Sequence, residues 1–439
     1  MSTLLRLCTA GSVDDGKSTL IGRLLYEARA VYEDQLSSVK AASRNRGAGP
    51  IDFSLFTDGL KAEREQGITI DVAYRYFATA RRKFILADTP GHEQYTRNMA
   101  TGASTADLAI LLVDARHGVR EQTRRHARIT RLLGISHLVL AVNKMDLVGF
   151  DRGVFESIRE SFSDLAAGAV LHAIPLSALN GDNVIERSAE TPWFTGAPLL
   201  EYLETVTVDR EVAGKPFRFP VQLVLRPNHE FRGYAGQIAS GTIRTGDQVL
   251  VSPSGRKSRV KRIVTWDGDL PVAQAPMSVT LTLEDEVDVS RGDVLSAATL
   301  LHTARHLEAN VVWMDERPLD PGRVYLLKHA ARTVSAELDT RLSLNDIGLV
   351  TVTAARPLVF DAYEQNRTTG SFIVIDPATN ATAGAGMIVR ALDEVSAATP
   401  SLAAAERLAL AARSAPSEEA AIDAVRRLLE DILTCSRTS

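Results

Sequence analysis

The residues with the clearest chemical potential form a short glycine-containing loop near the start of the chain. The sequence Gly-Ser-Val-Asp-Asp-Gly-Lys-Ser begins at Gly11 and matches the pattern G-x-x-x-x-G-K-[ST] in full. The glycines of such a loop let its N–H groups turn toward a phosphate, while the lysine places a cation on the β- and γ-oxygens. The pattern predicts a nucleotide site that includes Gly11, Ser12, Val13, Asp14, Asp15, Gly16, Lys17, Ser18 and Thr19.

A second motif, Asp88-Thr89-Pro90-Gly91, follows an apolar run that is typical of a strand. In phosphoryl-transfer sites of this kind a hydroxyl next to the loop lysine binds Mg²⁺, and an aspartate supports the metal shell. We therefore expect Ser18 to bind Mg²⁺, Asp88 to hold it through water, and the Gly91 N–H to meet the γ-phosphate.

The third motif, Asn143-Lys144-Met145-Asp146, ends a later apolar run and predicts the choice of base. The Asp146 carboxylate can accept from two N–H groups on one edge of guanine, whereas adenine has no such donor pair and would leave a buried charge unpaired. We expect GTP as the nucleotide. Asn143 and Lys144 are expected to brace the phosphate loop and to stack along the base. The weaker Ser177-Ala178-Leu179 segment is expected to offer N–H groups to the guanine oxygen.

Two further residues are candidates for the hydrolytic step. Thr69, in Gly67-Ile68-Thr69-Ile70, could supply a second hydroxyl to Mg²⁺ from a loop that orders with the γ-phosphate, or it could be an ordinary strand threonine. His92 directly follows Gly91 and could orient the attacking water. We therefore assign His92, Lys17 and Thr69 as the predicted catalytic residues.

The elements that must position these residues alternate between short apolar runs and longer helical patterns up to about residue 205, as in a doubly wound parallel sheet. Motifs that follow successive strands then meet at one edge of the sheet. The predicted strands are 4–10, 71–79, 84–87, 108–114, 138–143 and 170–176, and the predicted helices are 19–29, 93–102, 121–133 and 154–165.

From about residue 215 the pattern changes to closely spaced strands separated by glycines, which is typical of antiparallel barrels. A second all-β stretch covers 347–389, with predicted turns at Pro357, Asp376-Pro377 and Gly384. We predict an α/β P-loop domain at 1–210, β-barrels at 215–302 and 303–392, and a helical tail at 393–439. The tail helix, starting near Ser417, could pack on its own domain or face a partner.

Composition narrows the classes of function. The net charge is -4 and 45% of the residues are apolar, so the chain lacks the basic character that nucleic-acid binding draws on. Two cysteines, Cys8 and Cys435, do not make a disulfide framework, and apolar runs such as Leu108 to Val113 are too short to cross a bilayer. We expect a cytoplasmic protein that binds neither nucleic acid nor membrane.

Beyond these motifs, the segments Glu-Arg-Glu-Gln-Gly-Ile-Thr-Ile-Asp and Asp-Thr-Pro-Gly-His-Glu-Gln-Tyr-Thr-Arg-Asn-Met resemble the elongation-factor branch of GTPases. Within that branch the chain is most similar to the GTPase large subunits of heterodimeric sulfate adenylyltransferases. The Asp14-Asp15 pair is the most telling feature, because elongation factor Tu has Asp-His there. Resembling stretches, such as 11–26, 83–119 and 366–388, cover most of residues 4 to 390.

The resemblance implies that GTP hydrolysis drives the formation of adenosine 5′-phosphosulfate and pyrophosphate from ATP and sulfate. ATP and sulfate would be handled by a separate small catalytic subunit, because this chain lacks a Ser-Gly-Gly-x-Asp-Ser loop. The sequence Ser254-Gly255-Arg256-Lys257-Ser258 predicts a hairpin turn and not a second phosphate loop, so we expect no fused adenylylsulfate kinase. The family's third domain is usually longer between Lys328 and Leu342.

Two other functions remain open at this point. An elongation-factor-like GTPase that carries aminoacyl-tRNA would have the same three-domain plan, although the acidic balance and Asp14-Asp15 argue against it. A module that responds to the bound nucleotide with little turnover would fit the shortened third domain.

Overall fold

The computed structural model describes residues 3–30, 36–37, 39, 43, 51–56, 71–208, 213–228, 231–297 and 301–392. The predicted loop residue Thr69 and the predicted tail helix after Ser417 lie outside these ranges. Within them, no helix is both long and apolar enough to cross a membrane.

The first sheet, as far as the described residues show it, has the strands β1 (Thr3–Ala10), β2 (Ala73–Ala78), β3 (Arg82–Asp88), β4 (Leu108–Asp114), β5 (His137–Asn143) and β6 (Val170–Pro175). Their spatial order is β2-β3-β1-β4-β5-β6. All neighbours pair in parallel except β2, which is an antiparallel edge strand. The parallel strands therefore end at one edge, where Thr9 lies beside Asp88 and Asp114 lies beside Asn143.

Helices cover both faces of this sheet. Its described helices are α1 (Lys17–Glu27), α2 (Thr96–Ser104), α3 (Glu121–Leu132), α4 (Arg152–Ser163) and α5 (Leu199–Thr205), with 3-10 turns at Phe53–Phe56, Glu93–Tyr95, Met145–Val148 and Asp164–Ala166. Strand β4 is buried along its whole length. Its successive residues alternate between two apolar clusters, with Ile110 in one and Leu111 in the other. This alternation is expected where helices shield both faces of a parallel sheet.

The middle part of the chain is antiparallel. Its described strands are β7 (Arg218–Pro220), β8 (Leu223–Leu225), β9 (Gly233–Gln237), β10 (Thr242–Arg244), β11 (Gln248–Ser252), β12 (Arg256–Thr265), β13 (Gly268–Leu270), β14 (Val272–Gln274), β15 (Ser278–Leu283) and β16 (Val294–Ser296). The main sheet runs β7-β16-β11-β12-β15-β9-β8. It curls back on itself, because the Arg218 N–H donates to the Ser240 carbonyl at 2.9 Å. The predicted hairpin at Ser254-Gly255 joins β11 and β12.

The last described unit is a closed barrel of β17 (His302–Trp313), β18 (Tyr325–His329), β19 (Arg332–Leu338), β20 (Ile347–Phe360), β21 (Ser371–Ile375) and β22 (Thr382–Ala391). Among the described strands, the closed order is β17-β20-β19-β18-β21-β22. Trp313 is fully buried and packs edge-on against Tyr325, with 5.6 Å between the ring centres. The expected fold class, a P-loop domain followed by two antiparallel β-barrels, is confirmed.

Two predicted turns in this barrel are wrong, whereas the turn after Asp376 is present. Pro357 lies inside β20, opposite a register shift between Ala304 and His306, where the ladder does not need its missing N–H. Gly384 lies inside β22, and a Cβ there would come within 3.0 Å of the Val312 carbonyl. Pro357 therefore occupies an irregular point of the strand ladder, and Gly384 allows a close approach between two strands.

Two seams join the units. The barrel seam, between the middle sheet and the closed barrel, consists of Arg218, Ser240, Asp361, Asn366 and Thr369. Arg218 forms a bidentate ion pair with Asp361, Thr369 donates to the same carboxylate at 2.7 Å, and Asn366 donates to Ser240 at 2.9 Å.

The GTPase seam, between the first unit and the closed barrel, is built differently. The Tyr363 hydroxyl donates to the Leu133 carbonyl at 3.1 Å, and the Arg367 guanidinium donates to the carbonyls of Ala106 and Gly134. Around these bonds an apolar cluster joins Met387 and other barrel residues to helices α2 and α3.

Candidate nucleotide-binding site

The phosphate loop connects β1 to α1 in the order that its sequence predicted. Asp14 and Gly16 have positive φ angles of 69° and 93°, so the loop turns sharply just before α1 begins at Lys17. The buried Lys17 ammonium donates to the carbonyls of Gly11 and Ser12 at 3.0 and 2.8 Å. The loop thereby holds its own cation over the concave side of the turn.

The loop carries a buried carboxylate beside this cation. The Ser12 N–H donates to Asp15 Oδ2 at 2.6 Å, which fixes the turn from inside. Burial raises the pKa of Asp15, and Lys17 opposes that rise. Burial also lowers the pKa of Lys17, against the attraction of Asp15, Asp88 and Asp14. Burial therefore outweighs the attraction of the three carboxylates in the pKa of Lys17.

The end of β3 closes the phosphate side. Asp88 is buried there, and the Thr89 hydroxyl donates to the Thr9 carbonyl and ties β3 to β1. A Cβ on Gly91 would lie 2.3 Å from Lys17 Nζ, so only glycine allows this approach. A Cβ on Gly16 would lie 2.3 Å from Asn143 Nδ2. A side chain at either glycine would therefore collide with Lys17 or Asn143.

Asn143 links three loops at the other end of the site. Its amide donates to the Asp15 carbonyl at 2.8 Å, and its oxygen accepts from the Ala178 N–H at 2.9 Å. Lys144 donates to the Asp14 carbonyl at 2.5 Å. The phosphate loop, the Asn143–Asp146 motif and the Ser177–Leu179 segment therefore form one hydrogen-bonded unit.

Asp114, at the end of β4, was not among the predicted site residues. Its carboxylate lies 3.0 Å from Lys144 Nζ and accepts two side-chain bonds from Arg116. Burial alone would raise the pKa of Asp114, but the bonds from Arg116 and Lys144 hold it well below its usual range. The available signal was its position, since a carboxylate that ends a central parallel strand faces the site edge.

Arg23, on α1, was also missed. Its guanidinium donates to the carbonyls of Ala178 and Leu179 at 2.8 and 2.5 Å and pairs with Glu27. It also lies over the Phe53 ring, 4.3 Å from the ring centre. Arg23 therefore connects the base-side loop to the segment at 51–56. Sequence gave no signal for this, because the partners are 155 and 156 residues away.

The remaining predicted residues occupy the same edge of the sheet. Asp146 is half-buried in the 3-10 turn that follows Lys144, and Ser177 is buried at the end of β6. Val13, Ser18 and Thr19 are half-buried around the loop. His92 is half-buried next to Gly91, and its Nδ1 accepts from the Gln94 N–H at 3.3 Å. Thr69 falls outside the described residues.

The fold and site define a P-loop GTPase of the translation-factor type. Residues 2–209 match the family model described as elongation factor Tu GTP binding domain. Residues 339–389 match the one described as GTP-eEF1A C-terminal domain-like. GTP binding is the shared property of the first of these families.

Curated relatives narrow this class to one family. Sulfate adenylyltransferase subunit 1 of Shewanella oneidensis is 55% identical over 88% of this chain and 85% of its own length. The protein of that name from Citrobacter koseri is 54% identical over 91% of this chain and 89% of its own length. The chain belongs to the sulfate adenylyltransferase subunit 1 family. It also matches the bifunctional enzyme NodQ of Rhizobium sp. with 55% identity, although it spans only 64% of that protein.

Proposed function

We propose that this chain is the GTPase large subunit of a heterodimeric sulfate adenylyltransferase, in which GTP hydrolysis drives the formation of adenosine 5′-phosphosulfate and pyrophosphate from ATP and sulfate. The observation that carries the proposal is its 55% identity to a subunit 1 protein across most of both chains. The elongation-factor alternative is supported only by the match to the GTP-binding domain of the wider translation-factor class. The designation subunit 1 implies a partner, and we assign ATP and sulfate to a small catalytic subunit.

The proposed GTP site has a phosphate end and a base end. Lys17 and the N–H groups of the phosphate loop bind the β- and γ-phosphates, and the Gly91 N–H meets the γ-phosphate. Asp146 reads guanine, while Asn143, Lys144 and the Ser177–Leu179 segment hold the base-side loops in place. Support comes from the hydrogen bonds that join these loops through Asn143 and Lys144.

Ser18, Thr69 and Asp88 are the residues that would hold Mg²⁺, with Asp88 acting through water. When bound, this cation would supply positive charge that stabilises the charge developing on the phosphate groups. The oxygen-donor set of two hydroxyls and one carboxylate suits this hard cation.

For hydrolysis, we assign His92 the orientation of the attacking water. That water adds to the γ-phosphorus, the bond to the β-bridging oxygen breaks, and GDP and phosphate result. Lys17 stabilises the charge that accumulates on the bridging oxygen. Most of the catalytic gain in such reactions comes from positioning and electrostatic stabilisation.

Coupling to the partner would depend on the loops that contain Thr69 and His92, which respond to the γ-phosphate. A change there can reach the barrels through α2, which follows His92 and packs in the apolar cluster of the GTPase seam. We propose domain limits of 1–210, 215–302 and 303–392 with a tail at 393–439, a cytoplasmic location, and no binding to nucleic acid or membrane.

The proposal is tested by GTP hydrolysis with the purified chain alone and with the small subunit, each with and without ATP plus sulfate. Adenosine 5′-phosphosulfate is followed in the same samples. We expect GTP turnover to rise when the partner, ATP and sulfate are all present, with product rising in parallel. GTP turnover that ignores all three additions would contradict the coupled function, and salt-dependent tRNA binding would then favour the elongation-factor alternative.

Base reading has its own test in Asp146→Asn. An amide presents a donor where guanine already has one, so the variant should lose GTP affinity and gain affinity for xanthosine triphosphate. The lost bond to a charged acceptor corresponds to about 1.5–3 kcal/mol, or roughly 10- to 100-fold. Competition binding with both nucleotides measures the change. Unchanged GTP affinity would remove Asp146 from base recognition.

A further inference from the structure

A cleft lies between helix α3 and the closed barrel, at the GTPase seam. Its volume is about 1240 Å³. One wall is α3, and the other is formed by the segments 342–347 and 362–367 together with β22. The floor is closed by Tyr363 and Arg367, which bond to backbone carbonyls of the first unit. The cleft is distinct from the GTP site, because none of the predicted nucleotide residues lines it.

The α3 wall carries an unusual concentration of arginine. Arg124, Arg128 and Arg131 are spaced so that they lie along one stripe of the helix, and all three are exposed. Among the described residues, none of the three guanidinium groups has a hydrogen-bond or ion-pair partner. Like charges at this spacing repel each other slightly, so the stripe does not stabilise the helix by itself.

The charges around the whole cleft leave a positive excess. Its lining includes Arg125, Lys215 and Arg367 besides the stripe, and four carboxylates, those of Glu121, Asp164, Asp346 and Glu364. Asp346 already accepts from the Ser343 N–H at 2.8 Å. A concave surface with a dominant sign focuses the field and concentrates counter-ions. The molecule as a whole is acidic, with a net charge of -4, so this local excess departs from its average.

The barrel wall is partly apolar, with Leu342, Ile347 and Met387 in the lining. A cationic wall that faces apolar side chains suits a ligand with an anionic group and a flat or apolar body. Ligand pockets commonly measure about 300–1,000 Å³. The cleft can therefore accommodate a molecule of nucleotide size.

We propose that this cleft binds a small phosphate- or sulfate-bearing anion of nucleotide size, held by the Arg124, Arg128 and Arg131 guanidinium groups. Guanidinium forks match tetrahedral oxyanions and bind them through paired, charge-assisted hydrogen bonds. The two walls belong to different units. A ligand that contacts both walls therefore favours one relative arrangement of the GTPase unit and the closed barrel. This site does not depend on the proposed sulfate-activating function, and it stands or fails separately from it.

The test is calorimetric titration of the full chain with GDP and Mg²⁺ at saturating concentration, so that the GTP site is filled. Inorganic pyrophosphate, inorganic sulfate and ATP are the three probes. We expect at least one of them to bind, with an affinity that falls as ionic strength rises. If pyrophosphate and ATP bind with equal affinity, the arginines recognise the phosphate groups alone. If ATP binds more tightly, the apolar wall also contacts the rest of the nucleotide.

The double variant Arg128→Gln/Arg131→Gln should bind the same probe at least ten times more weakly. Arg356→Gln is the matched control, because Arg356 is also exposed and lies outside the cleft lining. Exposed substitutions of this kind usually change stability by no more than about 0.5 kcal/mol, which thermal unfolding can verify. Absence of binding by all three probes, or equal binding by wild type and the double variant, would overturn the proposal.

Discussion

Two buried cations, Lys17 in the phosphate loop and Arg218 in the barrel seam, have opposite surroundings. Arg218 meets the Asp361 carboxylate through both of its oxygens, and Thr369 donates to the same group. Lys17 meets only the carbonyls of Gly11 and Ser12 within its described hydrogen bonds. Arg218 therefore has a direct carboxylate partner, whereas Lys17 has carbonyl partners and only the longer-range attraction of Asp15, Asp88 and Asp14.

This difference separates stability from function. A buried ion pair with its partners in place holds two units in one orientation, but it has no capacity left for a ligand. Burial of an ammonium group among carbonyls costs solvation free energy, and a bound phosphate can offset that cost by pairing with the charge. The barrel seam should therefore be important for stability and unimportant for nucleotide affinity, and the phosphate loop should show the reverse.

The largest expected effect comes from opening the barrel seam with Asp361→Leu. Removing one member of a buried pair leaves the other charge uncompensated and typically costs about 3–5 kcal/mol. Urea unfolding should show this loss, while GTP affinity of the folded variant stays unchanged. Arg262→Met is the control, because its pair with Asp269 is exposed and such pairs contribute about 0–1 kcal/mol. An equal loss in both variants would contradict the contrast between buried and exposed pairs.

The next effect concerns the hydrolytic step alone. His92→Ala should slow GTP hydrolysis by about 100-fold, which is about 3 kcal/mol of barrier, because the attacking water loses its orienting group. GTP affinity and unfolding free energy should not change, since His92 is half-buried and contacts Gln94 and Tyr95 only locally. Single-turnover kinetics measures the rate. An unchanged rate would exclude His92 from the mechanism.

The variant Lys17→Ala tests the cation of the phosphate loop directly. Loss of a charged hydrogen-bond donor should weaken GTP binding by about 1.5–3 kcal/mol, or roughly 10- to 100-fold. Stability without nucleotide should fall by less than in Asp361→Leu, because the Lys17 ammonium donates to two carbonyls and not directly to a carboxylate. Lys83→Ala, on an exposed position of β3, is the control and should change neither quantity. A large loss of stability with intact GTP affinity would contradict our view that the phosphate loop serves nucleotide binding and the barrel seam serves stability.

The smallest effect is expected at the GTPase seam. Tyr363→Phe removes the hydroxyl that donates to the Leu133 carbonyl and leaves the ring packing intact. A single neutral bond contributes about 1 kcal/mol, so unfolding free energy should fall by that amount. Tyr76→Phe, with a side chain that is 69% exposed, should change nothing. A loss as large as that of Asp361→Leu would mean that both seams are equally rigid.

Positions that depend on a local pattern could be predicted from the sequence. The predicted nucleotide motifs lie at or directly after strand ends, and parallel pairing brings strand ends together whatever the helices between them do. Their roles in binding GTP remain predictions. Strand and helix bounds differed by a few residues, as for the predicted helix 154–165, which begins at Arg152.

The failures arise from contacts that are distant in sequence. Arg23 acts on carbonyls, which no side-chain pattern reveals, and Asp114 gains its role only when β4 lies beside β5. Pro357 and Gly384 resemble turn residues, but the barrel uses them at an irregular register and at a close approach to Val312. Tertiary packing determines these positions, and a single sequence does not record it.

The central claim is that hydrolysis of GTP by this chain drives adenylylsulfate formation by its partner. The most direct measurement is the yield of adenosine 5′-phosphosulfate by the complex with wild-type chain or His92→Ala, under saturating GTP, ATP and sulfate. Our account predicts that product formation falls by the same factor as GTP turnover while the complex stays assembled. Product formation that continues at the wild-type rate after GTP turnover has fallen would contradict it.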